Sequence, residues 1–120
     1  MIGVDDESGR ALVTVRLRAR RDAAEIKAQA WIDTAFTGEL VLPLSMIAQL
    51  GLEQSAAIAA GLADGSQVTL ETFSCLIEWF GNDHSIEVVA NDGRFALLGV
   101  GLLLGRKLTV DYPRLTVSIE

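Results

Sequence analysis

The chain has 120 residues, half of them hydrophobic, with one cysteine and a formal net charge of −6 at pH 7. This length predicts a single domain that spans residues 1–120, and the hydrophobic content is typical of a globular fold. The acidic balance argues against nucleic acid as a partner, because phosphate binding needs a basic face. No apolar run reaches the roughly 18 residues of a membrane span, and the N-terminus lacks the layout of a signal peptide. The expectation is a cytoplasmic protein without an intrachain disulfide.

Most of the chain shows the alternation of apolar and polar residues that is typical of half-buried β-strands. In chain order, the sequence predicts strands over 11–18, 24–32, 40–42, 68–79, 86–90, 108–112 and 115–119. A short helix is predicted over 45–51, where apolar positions recur at helical spacing, and a helical turn over 100–104. Turn signals occupy 61–66, which contains Asp-Gly, and 81–84. The sequence therefore predicts an all-β domain with one or two short helices.

The most informative segment is Asp-Thr-Ala at 33–35, which lies between two apolar, strand-like runs. Burying a charged carboxylate among apolar residues is costly, so packing alone does not explain Asp33. A second apolar run over 96–98 ends at Gly99. Together the two motifs predict one acidic site at the centre of a small β-domain.

The two motifs, in this order, resemble the retropepsin-like aspartic proteases, a family of single-domain proteases that includes the retroviral enzymes. The resemblance spans residues 11–120 and is strongest over 32–43 and 96–104. It implies a small closed β-barrel and an aspartic endopeptidase that acts on peptide or protein substrates, with no metal and no cofactor. The family usually has Gly where this chain has Ala35.

The resemblance also implies a role for each motif residue. Asp33 is the catalytic carboxylate, and residue 35 offers its backbone N–H to it. The last strand, 115–119, is expected to complete an intersubunit sheet. The residues expected to support the active-site loop are Thr34, Ala35, Leu97, Leu98 and Gly99. The residues that lie where the family places the tip of a mobile flap over the substrate are Ala63, Asp64 and Gly65.

A single aspartate motif implies two chains. Peptide hydrolysis by carboxylates needs one ionised group to take a proton from water and one protonated group to polarise the carbonyl. Because the chain has only one such loop, we expect a C2 homodimer in which the two copies of Asp33 meet on the symmetry axis. Each chain then supplies one half of the active site.

Other candidate residues have plainer interpretations. Asp33 itself could form an ordinary Asx-type turn. Asp111 is the alternative intrachain partner for Asp33, but the strand pattern favours an exposed position. His84 is expected in a solvent-exposed turn and Cys75 inside a strand of the core, which argues against a cysteine hydrolase. Core positions are favoured over substrate-lining positions for the aromatic residues Trp31, Trp79 and Phe80.

Two other functions stay open on the sequence. Alanine at position 35 adds a methyl group close to the expected dimer axis and disfavours positive φ. The main alternative is therefore a catalytically inactive dimer that binds peptides in the same groove. The third possibility is a β-domain that serves as an assembly module, which a stable monomer would indicate.

Overall fold

The computed structural model describes residues 1–6, 8–61 and 64–120. Its strands are β1 (Ile2–Asp5), β2 (Ala11–Arg18), β3 (Ile26–Ile32), β4 (Leu40–Pro43), β5 (Glu53–Gly61), β6 (Gln67–Trp79), β7 (Asn82–Asn91), β8 (Ala96–Leu98), β9 (Leu108–Asp111) and β10 (Thr116–Ile119). Its helices are α1 (Leu44–Leu50) and α2 (Val100–Leu103). In the described part of the chain, neither helix is long and apolar enough to cross a membrane.

Six of the strands close into a barrel. The strand order is β5-β6-β7-β4-β8-β3-β2-β1-β10-β9, and β2 also pairs with β6, with Leu17 opposite Ile77. The ring therefore runs β2, β6, β7, β4, β8, β3 and back to β2. The all-β closed barrel predicted from the sequence is confirmed.

The alternation along β2 shows how the barrel is filled. Val13, Val15 and Leu17 are buried, whereas Thr14 and Arg16 between them are exposed. Each such apolar side chain contributes about 1.5–3 kcal/mol when it is fully buried. Other fully buried side chains of the barrel and its extension are Leu40, Leu42, Ile77, Val88, Leu98, Val117 and Ile119.

The predicted short helix is confirmed as α1, which buries Ile47 and Leu50. It ends at Gly51, whose φ of 68° is left-handed and whose N–H donates to the carbonyls of Ile47 and Ala48. Such a glycine satisfies the last carbonyls of a helix without strain. The helix follows β4 directly, and its two buried side chains belong to the same apolar core as those of the barrel.

Two strands lie where the sequence predicted none. β1 pairs with β2 and β10, and β5 pairs with β6 along 53–61. The alanine-rich β5 has neither alternation nor strong β propensity, so its pairing partner decides its conformation. Local sequence therefore could not specify either strand.

The β6–β7 connection also differs from the prediction. Residues 82–84 belong to β7, so the turn predicted over 81–84 is wrong in position. The connection is instead Phe80-Gly81, with φ of 51° and 83°. Two consecutive positive φ values are typical of a tight two-residue hairpin.

β1, β10 and β9 extend the barrel as a three-stranded terminal sheet. Val117 of β10 lies between Gly3 of β1 and Val110 of β9. The Met1 ammonium donates to the Ile119 carbonyl at 2.8 Å, so the two chain ends are adjacent. Both edges of β10 are paired within the chain, so the expectation that the last strand completes an intersubunit sheet stays a prediction that would involve the whole terminal sheet. The open edge of the terminal sheet belongs to β9.

Candidate active site

Asp33 follows β3 directly, and its loop crosses the end of β8 to reach β4. β8 lies between these two strands, because Leu98 pairs in parallel with Ile32 and antiparallel with Leu40. The N–H of Asp33 donates to the Leu98 carbonyl at 2.9 Å. The sheet hydrogen bonding thus continues one residue beyond β3 and fixes Asp33 at the rim of the barrel.

The loop holds the Asp33 carboxylate through the main chain. Its Oδ1 accepts the N–H of Ala35 at 3.0 Å, and its carbonyl accepts the N–H of Phe36 at 3.2 Å. Asp33 is half-buried, whereas Thr34 and Ala35 are exposed. The backbone of Ala35 does not adopt positive φ, so alanine fits this loop without strain. The same bond is that of an Asx-type turn. It orients the carboxylate but does not by itself indicate catalysis.

Gly99 allows the loop to lie directly against the end of β8. Its N–H donates to the Glu39 carbonyl at 2.9 Å, and the N–H of Val100 donates to the Phe36 carbonyl at 2.8 Å. A Cβ atom at position 99 would collide with the Gly38 carbonyl oxygen and lie 2.8 Å from that of Phe36. A side chain here would push the Asp33 loop outward.

A cleft of about 350 Å³ opens beside the loop and is lined by Trp31, Ile32, Asp33 and Leu97. Asp33 is the one acidic side chain among these lining residues. Trp31 is 38% exposed, so the expectation that it belongs to the core is wrong. The alternation of β3 points its neighbours Ala30 and Ile32 inward and turns Trp31 outward, beside Leu97 of β8.

A second cleft, of about 420 Å³, is lined in part by the later residues of the same loop, 36–39. There the Ser55 hydroxyl donates to a Glu87 carboxylate oxygen at 2.6 Å and lies 3.0 Å from the Thr72 hydroxyl. The N–H of Glu87 donates to the Glu39 carboxylate at 3.1 Å. Sequence reasoning missed this group because its members are far apart in the chain and form no motif. The full lining is Phe36, Thr37, Gly38, Glu39, Ser55, Ala56, Thr72, Glu87 and Val89.

The hairpin predicted from the Asp-Gly signal is formed by β5 and β6. Asp64 and Gly65 lie in its turn, whereas Ala63 falls outside the described residues. The Ser66 hydroxyl and N–H donate to Asp64 Oδ1 at 2.6 and 2.9 Å, and these bonds hold the pKa of Asp64 below its usual value. These two bonds tie Ser66 to Asp64 just before β6 begins.

The other candidate residues lie away from the cleft of Asp33. Asp111 accepts the Arg114 guanidinium at 3.0 Å on β9. His84 is exposed, as predicted, although it lies in β7 and not in a turn. Cys75 is buried, and burial raises the pKa of its thiol to about 11, which keeps it protonated. The described residues contain no group of three or more His, Cys, Asp or Glu side chains suited to a metal ion.

No family model matches the sequence, and no curated protein matches it. Solved structures do. The fold is similar to that of a retropepsin-like aspartic protease from Rickettsia conorii, with a TM-score of 0.65 at 16% identity, over 98% of this chain and 86% of that one. It is similar to EIAV protease complexed with the inhibitor HBY-793, with a TM-score of 0.60 at 19% identity, over 87% and 96% of the two chains. It is also similar to the retroviral protease-like domain of Ddi1 from Leishmania major, with a TM-score of 0.52 at 12% identity, over 91% and 88%.

These likenesses show the fold class that the order of the motifs predicted. The chain has the fold of the retropepsin-like aspartic proteases. The motif residue Asp33 lies at the rim of that fold's barrel, beside a cleft.

Proposed function

We propose that the protein is an aspartic endopeptidase that acts as a homodimer, with one Asp33 from each subunit on the two-fold axis. The observation that carries this proposal is the environment of the Asp33 carboxylate. The carboxylate is half-buried at a cleft and oriented by the Ala35 N–H, and no second acidic residue lies among the described residues that line the cleft. A second copy of the chain is the simplest source of the missing carboxylate.

Two adjacent carboxylates supply the chemistry that one cannot. Both cannot comfortably be ionised at close range, so the pair shares one proton. The ionised member takes a proton from a water molecule, whose oxygen attacks the peptide carbonyl carbon. The protonated member polarises the carbonyl oxygen and, as the C–N bond breaks, the pair returns a proton to the leaving nitrogen. We expect activity at acid to mildly acid pH and no covalent intermediate with the protein.

The geometry of the loop suits this role. Thr34 and Ala35 are exposed next to Asp33, so a second subunit can approach the carboxylate. The close contact at Gly99 fixes the loop before substrate binds, and such preorganisation reduces the barrier to reaction. In this proposal the β5–β6 hairpin would supply main-chain groups to an extended peptide by strand addition.

Replacement of Asp33 by Asn tests the proposal. The amide has the size of the carboxylate but cannot activate water, so turnover should fall on the order of a thousandfold or more. The dimer mass, measured by sedimentation, should not change. Asp22→Asn is the matched control, because Asp22 is an exposed aspartate in the β2–β3 connection. Full activity of Asp33→Asn, or a wild-type chain that stays monomeric during turnover, contradicts the proposal.

The second candidate is an inactive dimer that binds peptides, and Ala35 is the observation that favours it. The methyl group of Ala35 is exposed next to Asp33, where a partner loop would approach. Peptide binding without cleavage between about pH 3 and pH 8 would support this candidate, since a carboxylate pair would be singly protonated somewhere in that range.

A further inference from the structure

The β5–β6 hairpin leaves the barrel at a β-bulge. In the pairings of the described residues, β7 pairs with β6 as far as Thr72, and residues 67–71 of β6 pair with β5 alone. The register of β5 against β6 shifts between Gln54 and Ala56, so Ser55 is the extra residue of the bulge. A bulge bends its strand and re-aims the side chain that it carries. The bulge therefore lies where the hairpin loses its support from β7.

The Ser55 side chain joins the base of the hairpin to β7. Its hydroxyl donates to Glu87 Oε2 at 2.6 Å, and its oxygen lies 3.0 Å from that of Thr72. A serine hydroxyl has a single proton, and an ionised carboxylate only accepts. The buried Thr72 hydroxyl therefore donates to Ser55 Oγ or, at 3.4 Å, to the Ala56 carbonyl. Ser55 thus connects a buried hydroxyl of β6 with a carboxylate of β7.

The same connection continues from Glu87 to the Asp33 loop. The Glu87 N–H donates to Glu39 Oε1 at 3.1 Å, one residue before the parallel pairing of β7 with β4 begins. The Glu39 carbonyl accepts the Gly99 N–H at 2.9 Å, in the contact that holds the Asp33 loop against β8. Four neighbouring strands are therefore linked across their ends. We call the four residues of this connection the hairpin network: Ser55, Thr72, Glu87 and Glu39.

We propose that Ser55 and Glu87 are positioning residues, which hold the β5–β6 hairpin in the orientation in which it binds a peptide over Asp33. This inference rests on the proposed function, because it concerns how the hairpin meets the peptide. A hairpin that is oriented before the peptide arrives loses less entropy when the peptide binds. Without the bond between the two side chains, only a fraction of the molecules would be competent to bind.

The loss of this bond should act on KM more than on kcat. One hydrogen bond changes the population of the binding orientation enough to raise KM about two- to tenfold. Since the Asp33 loop keeps its own contacts at Gly99, kcat should change by less than about twofold. A general weakening of the fold would not produce this division between the two constants.

Three variants and a control test the positioning role, with a fluorogenic octapeptide that the wild type cleaves. Ser55→Ala and Glu87→Ala each remove the bond and should raise KM. The double variant should be no worse than either single one, because all three lack the same bond. Glu87→Gln keeps an oxygen that accepts the Ser55 hydroxyl, so its KM should stay within about twofold of the wild type. Ser85→Ala is the matched control, because Ser85 is an exposed serine of β7 that does not line the second cleft.

A KM of Glu87→Gln as high as that of Glu87→Ala would overturn the inference, because it would show that the charge acts and the hydrogen bond does not. Losses that add up in the double variant would overturn it as well, since independent effects add and a shared bond does not.

Amide hydrogen exchange observes the hairpin without turnover and separates this inference from the proposed function. Amides of β5 should exchange about two- to tenfold faster in Ser55→Ala and Glu87→Ala than in the wild type and Glu87→Gln, while those of β2 stay unchanged. If the wild type cleaves no peptide but exchange follows this pattern, the hairpin network is supported and the protease proposal fails. If peptides are cleaved while KM and exchange are the same in every variant, the positioning role is overturned and the protease proposal stands.

Discussion

Among the described residues, an arginine combines with two aromatic rings in two places, and the two combinations differ in what they leave exposed. In the first combination, Trp31 meets Phe95 edge to face at 6.1 Å, and the Arg10 guanidinium carbon lies 4.7 Å from the Phe95 centroid. Here Trp31 stays 38% exposed beside the Asp33 carboxylate. In the second combination, the β6–β7 cluster, Trp79 meets Phe80 edge to face at 5.2 Å and Arg106 lies 3.6 Å above the Phe80 ring. There Trp79 is only 5% exposed. The same contacts hold a hairpin in one region and shape an open cleft in the other.

The two regions lie at opposite ends of β2. Trp31 is paired with Leu12 near its start, and Glu78, next to Trp79, is paired with Arg16 near its end. Around the β6–β7 cluster the charges neutralise one another: Arg16 lies 3.9 Å from Glu78, and Arg18 binds Asp83 at 2.7 Å. At the other end, the carboxylate of Asp33 faces a cleft. The type of contact alone therefore does not distinguish the two regions; the exposure of the ring and the position of the neighbouring carboxylate do.

The largest expected effect separates the two tryptophans. Trp79→Ala should lower the free energy of unfolding by about 3–5 kcal/mol, because it leaves a cavity in the core. Trp31→Ala should cost no more than about 1 kcal/mol, because the ring is partly in solvent. Urea unfolding followed by circular dichroism measures both without relying on tryptophan fluorescence. Equal losses would show that Trp31 is a core residue after all.

The next effect concerns the loop contact of Gly99. Gly99→Ala should destabilise the fold by about 1–3 kcal/mol, because the new methyl group meets the backbone of the Asp33 loop. The proposed peptidase activity should fall on the order of a hundredfold, since a small displacement of the proposed catalytic carboxylate is costly. Gly93→Ala is the control, because its Cβ would meet only the Asn91 side chain, at 3.3 Å. Unchanged activity in Gly99→Ala would mean that the loop can move without loss.

A smaller effect is expected for Ala35→Gly, which restores the residue usual in the resembling family. Because Ala35 does not adopt positive φ, glycine should bring no relief of strain. It should lower the free energy of unfolding by about 0.4–1 kcal/mol through the greater entropy of the unfolded chain. Kinetics with the same peptide should change little; a large gain in kcat would show that the methyl group obstructs the dimer axis.

The smallest effect should come from the ion pair between Asp6 and Arg10. The pKa of Asp6 is lowered in the folded protein, first by the Arg10 N–H. A lowered carboxyl pKa contributes stability above the unfolded value of 3.8, and this contribution is lost as the pH falls through the folded value. Asp6→Asn should therefore melt slightly below the wild type at pH 6, and the difference should vanish in strong acid. A difference in melting temperature that stays constant with pH would show that the pair is not responsible.

Much of the fold could be predicted from local patterns. The alternation from Leu12 to Arg18 specified β2, and the Asp-Gly at 64–65 specified the turn between β5 and β6. The order of the Asp33 and Gly99 motifs led to the correct fold class. In each case the signal is local or is a short motif whose spacing the sequence shows directly.

The remaining features depend on contacts between distant residues. The alanine-rich β5 is a strand because β6 lies beside it, and no local pattern of its own specifies this. Trp31 is in an alternating strand, but only the barrel decides that its outer face borders a cleft. Phe95 and Arg10 had no signal at all, because their contact with Trp31 joins three separate parts of the chain.

The hydrogen bond between the Met1 ammonium and the Ile119 carbonyl places the start of β1 beside the end of β10. Since β1 and β10 are antiparallel neighbours, a linker of about two to five residues could join them as a hairpin. New ends could then open in the exposed connection around Asp22, as circular permutation succeeds at such sites. A permuted chain of this kind would keep every strand pairing while moving its ends, and any label attached to them, away from the terminal sheet.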